Sequence, residues 1–189
     1  GGCAPAAAGG VLARREGAVA GRLGGEAEGA LAGQLHPHLG GNAAVADLQR
    51  RAVVDQIGYG GIPDAVVMQL TSKRDLGIHT EMIGDGILSL VESGAVSSRR
   101  KNYLPGKIVA TFALGSRKLY DFLERNPVLE MHPVNFTNDP ALAGLNDNLI
   151  TINATLQIDL LGQCGSESLG SLPYSGTGGQ SDFVRAANR

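Results

Sequence analysis

Residues 106–134 read GKIVATFALGSRKLYDFLERNPVLEMHPV. An apolar run from Lys107 to Leu114 is long enough for one buried strand and too short for an independent helix. Ser116 can then cap a helix to about Arg125, with Leu119, Phe122 and Leu123 on one face. Asn126-Pro127 stops that helix, because the residue before proline is pushed out of the α region. Val128 to Val134 is the next strand. A strand, a helix and a strand in about thirty residues make the parallel β–α–β unit.

Outward from this unit the alternation continues in both directions. Upstream, Leu76 to Met82 reads as a strand, and Asp85 to Glu92 as a helix ended by Gly94. Before them stands Gly58-Tyr59-Gly60-Gly61, followed by a short helix from Ile62 to Leu70 with Pro63 in its first turn. Residues 45–57 suit a helix, with Val45, Leu48, Ala52, Val53 and Ile57 near helical spacing, so no strand clearly precedes the glycine loop. Downstream, Thr137 or Asn138 can cap a short helix opening at Asp139-Pro140. Residues 149–161 are the longest strand candidate, straight, bent or folded as a hairpin. A Gly/Ser-rich stretch at 165–179 leads into a helix over 181–189, capped by Ser181 or Asp182. The fold class expected is α/β, a mostly parallel sheet flanked by helices.

The composition changes near residue 45. Glycine and alanine make up more than half of the residues before it, and aromatic residues are absent. Residues 11–23 could be weakly helical, but glycine interrupts them. Such a segment buries too little apolar surface to offset its ordering entropy, so residues 1–44 are expected to be disordered or poorly packed. Three arginines without lysine in this stretch faintly resemble a transit peptide, but three glutamates and the lack of serine argue against it. Two domains of unequal kind follow from this: 1–44, and a packed domain over 45–189.

With 16 Lys and Arg against 18 Asp and Glu, the net charge is −2, which supplies no attraction for nucleic acid or an anionic membrane. No apolar run reaches the ~20 residues of a membrane helix. Cys3 and Cys164 are too few and too far apart for a disulfide framework or a metal site, so the expected compartment is reducing, the cytoplasm. Cys164 follows an apolar strand and is expected to be a buried small hydrophobe. Arg99-Arg100-Lys101 reads as a solvated loop.

In a parallel sheet the ligand crevice lies beyond the carboxyl ends of the strands. Three loops there could carry chemistry. Gly58–Gly61 opens a helix, and its N–H groups can face an anion or an oxyanion, although a tight turn is the commoner explanation of such a loop. Gly77-Ile78-His79-Thr80-Glu81-Met82 ends in a carboxylate at a strand terminus, where catalysis tends to sit, although surface glutamates near turns are common. His79 is read as a packing or hydrogen-bonding residue on the strand face opposite Glu81, since no second metal ligand lies at a suitable spacing. Gly176-Thr177-Gly178-Gly179-Gln180-Ser181-Asp182 is a second loop where backbone N–H groups can converge, or simply a flexible link before a capped helix. No nucleophile elbow and no phosphate-binding P-loop is present.

These segments occur in a fixed order. GYGGIPDAV, LGIHTEMIGDGILSLVESG, GKIVATFALGSRKLYDFLERNP, PVNFTNDP, ITINATLQIDLLGQ and YSGTGGQSDFVRAAN run through residues 58–189 with almost no break. Together they resemble the acetyl-CoA hydrolase/transferase family, in the branch of 4-hydroxybutyrate and butyrate- or acetate-type CoA-transferases. The resemblance implies a CoA-transferase-type (NagB/RpiA-like) domain with Glu81 as a glutamate nucleophile. It implies backbone oxyanion donors at Tyr59 and at Gly179 or Gly178, with Gly60 in the substrate-binding loop and Asn138 near the acyl group. It implies coenzyme A as a substrate, with no permanently bound cofactor and no metal. Expected partners are acyl-CoA and small carboxylates, and a second copy of the chain. Acyl-CoA hydrolysis is the rival of the same chemistry. An inactive fragment or a CoA-binding module is the rival of another class. Family members have a whole domain ahead of the first glycine loop and continue past the last helix, so this chain is expected to be truncated, with residues 45–189 incomplete at their C-terminal end.

Overall fold

The computed structural model describes residues 9–14, 17–22, 54–159, 161 and 163–189. The central sheet joins β1 (Gly9–Arg14), β2 (Gly17–Arg22), β3 (Val54–Ile57), β4 (Gly77–Ile78) and β9 (Leu149–Thr155) in the order β2-β1-β9-β3-β4. β3 runs parallel to both β9 and β4, with Val54 opposite Leu149 and Gly77. A parallel bridge from His79 to Val109 extends the sheet to β6 (Ile108–Ala110), which pairs in parallel with β8 (Leu129–Met131). Two short strands, β5 (Met82–Ile83) and β7 (Phe112–Ala113), form a separate parallel pair.

The helices α1 (Gly61–Leu70), α2 (Asp85–Glu92) and α3 (Arg117–Leu123) connect these strands. The unit read from residues 106–134 is present as β6, β7, α3 and β8, with Ile108 opposite Leu129. Ser116 caps α3, its Oγ accepting from the Leu119 N–H. Further on come α4 (Val134–Thr137), α5 (Pro140–Ala143) and α6 (Gln180–Ala187). The strands β10 (Gln157–Ile158), β11 (Cys164–Gly165), β12 (Ser168–Leu169) and β13 (Leu172–Pro173) make two small antiparallel ribbons between β9 and α6. Among the described residues no helix is long and apolar enough to cross a membrane.

Strand alternation sends side chains to two cores. Ile57, Ile78, Ile108, Ile150 and Ile152 pack with Val67, Ile87, Leu90 and Leu119 of α1, α2 and α3. On the opposite face Val54 and Leu149 pack with Ala143 of α5 and Phe183, Ala186 and Ala187 of α6. The sheet is thus covered on both sides, as parallel strands require.

Several local readings are corrected. Residues 54–57 are a buried strand, not the end of a helix, and they lead straight into the first glycine loop. A short apolar run does not by itself distinguish the two, and here pairing on both edges decides. The 76–82 strand is divided into β4 and β5, and the 107–114 strand into β6 and β7. Asp139, not Thr137 or Asn138, caps α5, accepting from the Ala141 N–H at 2.7 Å. Gly179 occupies the N-cap of α6, with no side-chain cap from Ser181 or Asp182. Cys164 is exposed, because the ribbon β10-β11 stands away from the core. Lys101 is buried, its Nζ donating to the carbonyls of Ile78 and Lys107 at 3.0 and 2.9 Å. Burial lowers its pKa to about 8.

Within the stretch expected to be disordered, residues 9–14 and 17–22 are strands, and β1 pairs antiparallel with β9. β1 is hydrogen-bonded on both edges, to β2 and to β9, and this main-chain pairing is open to a Gly/Ala-rich sequence. The rest of 1–44, and the helix expected over 45–53, lie outside the described residues.

Candidate active site

Two parallel strands bend at the same level, and the bend presents Glu81. The Thr80 N–H still donates to the Val109 carbonyl at 3.0 Å. One residue later the Glu81 carbonyl accepts from both Thr111 and Phe112, at 2.8 and 3.1 Å. The regular ladder ends there and resumes as β5 and β7. Glu81 is left half-buried at the carboxyl end of the sheet.

Thr80, fully buried, ties this bend to the first glycine loop. Its hydroxyl donates to the Ile57 carbonyl at 3.0 Å, with that of Met82 also in reach at 3.2 Å, and the Ile57 N–H returns a bond at 3.4 Å. Ile57 is the last residue before Gly58-Tyr59-Gly60. Gly58 is pressed onto β9, where an added Cβ would meet Asn153 Oδ1 at 2.7 Å. Gly60 has φ +125°, a conformation only glycine adopts without strain.

The second glycine loop closes over the same carboxylate. A Cβ on Gly179 would overlap Glu81 Oε2 and come within 2.6 Å of Asn138 Nδ2. Asn138 Nδ2 itself donates to Glu81 Oε2 at 2.5 Å. Glu81, Tyr59, Gly178 and Gly179 line one cavity of about 300 Å³, together with Gln56, Asn153, Met82, Phe112 and Gln180. Asn138 reaches it through Glu81, and Gly60 shapes the loop without lining the cavity.

His79 lies on the same side of the strand as Glu81, not the opposite one, because residues two apart share a face. The imidazole is buried, and Nε2 lies 2.9 Å from the Thr137 carbonyl, next to Asn138. Burial lowers its pKa to about 4, partly opposed by that hydrogen bond, so the ring is neutral at pH 7. A carbonyl only accepts, which puts the proton on Nε2. The ring also meets Phe183 edge-on, with centroids 6.2 Å apart.

Two features of the cavity have no counterpart in the sequence reading. Gln56 and Asn153 form a buried reciprocal amide pair, at 3.2 and 2.9 Å. Both project from the sheet toward α6, and the alternation of β3 and β9 would have put them on one face had β3 been recognised. Phe183, fully buried, supports Gly179 from below. Its apolar period in the last helix was the available signal.

A half-buried carboxylate between two glycine loops, at the crevice of a parallel sheet, is an arrangement that can accommodate acyl-transfer chemistry. Residues 115–189 match the acetyl-CoA hydrolase/transferase C-terminal domain. Over 133 residues the chain is 59% identical to succinyl-CoA:cyclohexane-1-carboxylate CoA transferase of Geobacter metallireducens, covering 70% of this chain and 30% of the relative. It is 50% identical, again over 133 residues, to 4-hydroxybutyrate coenzyme A transferase of Clostridium kluyveri, covering 70% and 31%. The crystal structure of RipA from Yersinia pestis superposes with a TM-score of 0.71 at 43% identity, covering 76% of this chain and 32% of RipA. The chain belongs to the acetyl-CoA hydrolase/transferase family. It spans about a third of the length of these relatives.

Proposed function

We propose that the whole protein transfers coenzyme A from an acyl-CoA to a small carboxylic acid such as acetate, butyrate or 4-hydroxybutyrate, with Glu81 as the nucleophile. The observation that carries this reading is the Glu81 carboxylate, held by Asn138 between two glycine loops in one cavity. A Glu81 oxygen attacks the thioester carbonyl, and collapse of the tetrahedral adduct expels CoA thiolate and leaves an acyl–glutamyl anhydride. The thiolate attacks the glutamyl carbonyl, releasing the first carboxylate and leaving CoA on Glu81 as a thioester. A second carboxylate attacks that thioester, forming a new anhydride and thiolate. Attack of the thiolate on the new acyl carbonyl gives the product acyl-CoA and restores Glu81. Each tetrahedral adduct carries an oxyanion, and one preorganised backbone donor contributes ~3 kcal/mol to stabilising it. The N–H groups of Tyr59 and of Gly179 or Gly178 are assigned to that task, and Asn138 orients Glu81.

The same reading makes acyl-CoA and small carboxylates the partners, with coenzyme A passing through as substrate. It puts the protein in the cytoplasm, where thiols stay reduced. Exposed Tyr59, Leu172 and Tyr174 offer apolar surface for a second copy.

The test is covalent trapping. After acyl-CoA is added to the whole protein, borohydride should reduce the glutamyl thioester to an alcohol, and mass spectrometry should place the change on the peptide holding Glu81. Glu81→Gln should abolish both labelling and transfer. A label on Asp85 or Glu92 would reject the assignment. CoA release that is as fast without a carboxylate acceptor as with one would make the protein a hydrolase.

A further inference from the structure

We propose that His79 is a positioning residue that sets Asn138 and the second glycine loop against Glu81. The inference rests on the transferase reading for its kinetic consequences and on geometry for its substance.

Two supports of the Glu81 carboxylate lean on this one ring. The first runs through polar atoms. Nε2–H donates to the Thr137 carbonyl at 2.9 Å, and the next residue, Asn138, donates to Glu81 Oε2 at 2.5 Å. Residues 134–138 are a single turn of helix, four residues plus its cap, which is too short to hold its own position. A hydrogen bond to its last carbonyl therefore sets where Asn138 lies. The second support runs through packing. The ring meets the edge of Phe183, whose Cε2 would lie 3.2 Å from a Cβ on Gly179, and whose N–H donates to the Gly179 carbonyl. The histidine thus touches the anchors of both groups that confine Glu81 Oε2.

A purely structural residue here would be apolar, like Ile78 before it. The imidazole instead supplies an N–H that the Thr137 carbonyl accepts. Neutrality also suits the role. Burial keeps the ring uncharged, so it stands behind the site as an Nε2 donor and brings no cation there.

The experiment compares His79→Leu with His79→Gln in the whole protein. Glutamine can put an amide donor near the position of Nε2, and leucine cannot. His79→Leu should lower kcat by about 10²-fold, the scale of a misplacement near 1 Å, with KM for acyl-CoA little changed. His79→Gln should recover most of that loss. In an Asn138→Ala background, His79→Leu should cost less than about threefold more, because coupled residues are not additive. Multiplying effects, or a glutamine variant as damaged as the leucine one, would overturn the proposal. If His79→Leu does not fold, His79→Asn takes its place, since its shorter side chain falls away from Thr137. A second readout does not need activity. In protein labelled with 15N-asparagine, the Asn138 side-chain amide resonance should move in His79→Leu and return in His79→Gln. An unmoved resonance overturns the proposal even if the wild type transfers nothing, whereas an inactive wild type with a shifting resonance would reject only the transferase reading.

Discussion

Asn138 Nδ2 donates to Glu81 Oε2 across 2.5 Å, joining two residues 57 apart in the chain. The bond ties one oxygen of the Glu81 carboxylate to the Asn138 amide and so restrains its orientation. Asn138→Ala should therefore lower kcat by about 10²-fold through lost orientation, with little change in KM. Asn138→Asp should be worse, because a second carboxylate at that distance drives one of the pair to hold a proton. Steady-state rates with an acyl-CoA and a carboxylate acceptor would measure both, and an alanine variant within threefold of wild type would refute the role.

The fold was legible where its signals are local. The run at 106–134 contains its own strand, cap and second strand, and these appear in shorter form: the first strand is divided, Ser116 caps a helix that ends at Leu123, before Asn126-Pro127, and the second strand is Leu129–Met131. The convergence of Glu81 with both glycine loops was legible for a topological reason, since loops at the carboxyl ends of parallel strands share one crevice. What escaped was non-local. β3 carries Asp55 and Gln56 between its apolar residues, and only pairing with β9 and β4 makes that pattern a strand. The Gln56–Asn153 pair spans 97 residues and leaves no trace in either segment alone. Lys101 looked solvated beside two arginines, yet two carbonyls at the foot of the sheet accept its ammonium group. Of the Gly/Ala strands near the start, β1 pairs with β9 across more than 130 residues, and β2 pairs with β1.

Asp55 makes stability depend on pH in a direction unusual for an aspartate. It is buried, and burial raises its pKa to about 7. Between the unfolded value near 4 and this native value, the folded chain binds more protons than the unfolded one. The stability it contributes is therefore present below pH 4 and is lost as pH rises through 7. His79 acts oppositely. Its native pKa of about 4 lies below the unfolded 6.5, so its contribution is lost as pH falls through that window. Asp55→Asn removes only the first effect. The difference in unfolding free energy between variant and wild type should shift in favour of the variant from pH 4.5 to pH 7.5, by on the order of 3 kcal/mol. Urea titrations at the two values measure this, and a difference that stays constant with pH would show that Asp55 is ionised in the fold.

Gly178 and Gly179 are neighbours with opposite tolerance. A Cβ at Gly178 would meet nothing within 4 Å. At Gly179 it would overlap Glu81 Oε2, with Asn138 Nδ2 at 2.6 Å and Phe183 Cε2 at 3.2 Å. The backbone of Gly179 has φ −76°, which any residue adopts, so the obstacle is space and not conformation. Alanine also keeps the N–H, so the donor proposed for the oxyanion is preserved in both variants. Gly178→Ala should retain most of the transfer activity. Gly179→Ala must move either the loop or the Glu81–Asn138 pair, and should lose at least about 10²-fold in kcat/KM, as expected when a reacting group is displaced by near 1 Å. Because residues 171–178 leading into Gly179 are exposed and can shift, the melting temperature of Gly179→Ala should fall only slightly, which separates a blocked site from a damaged fold. Equal activity of the two alanine variants would mean that the second glycine loop does not approach Glu81 as closely in the working enzyme, and the assignment of its N–H groups to the oxyanion would fall with it.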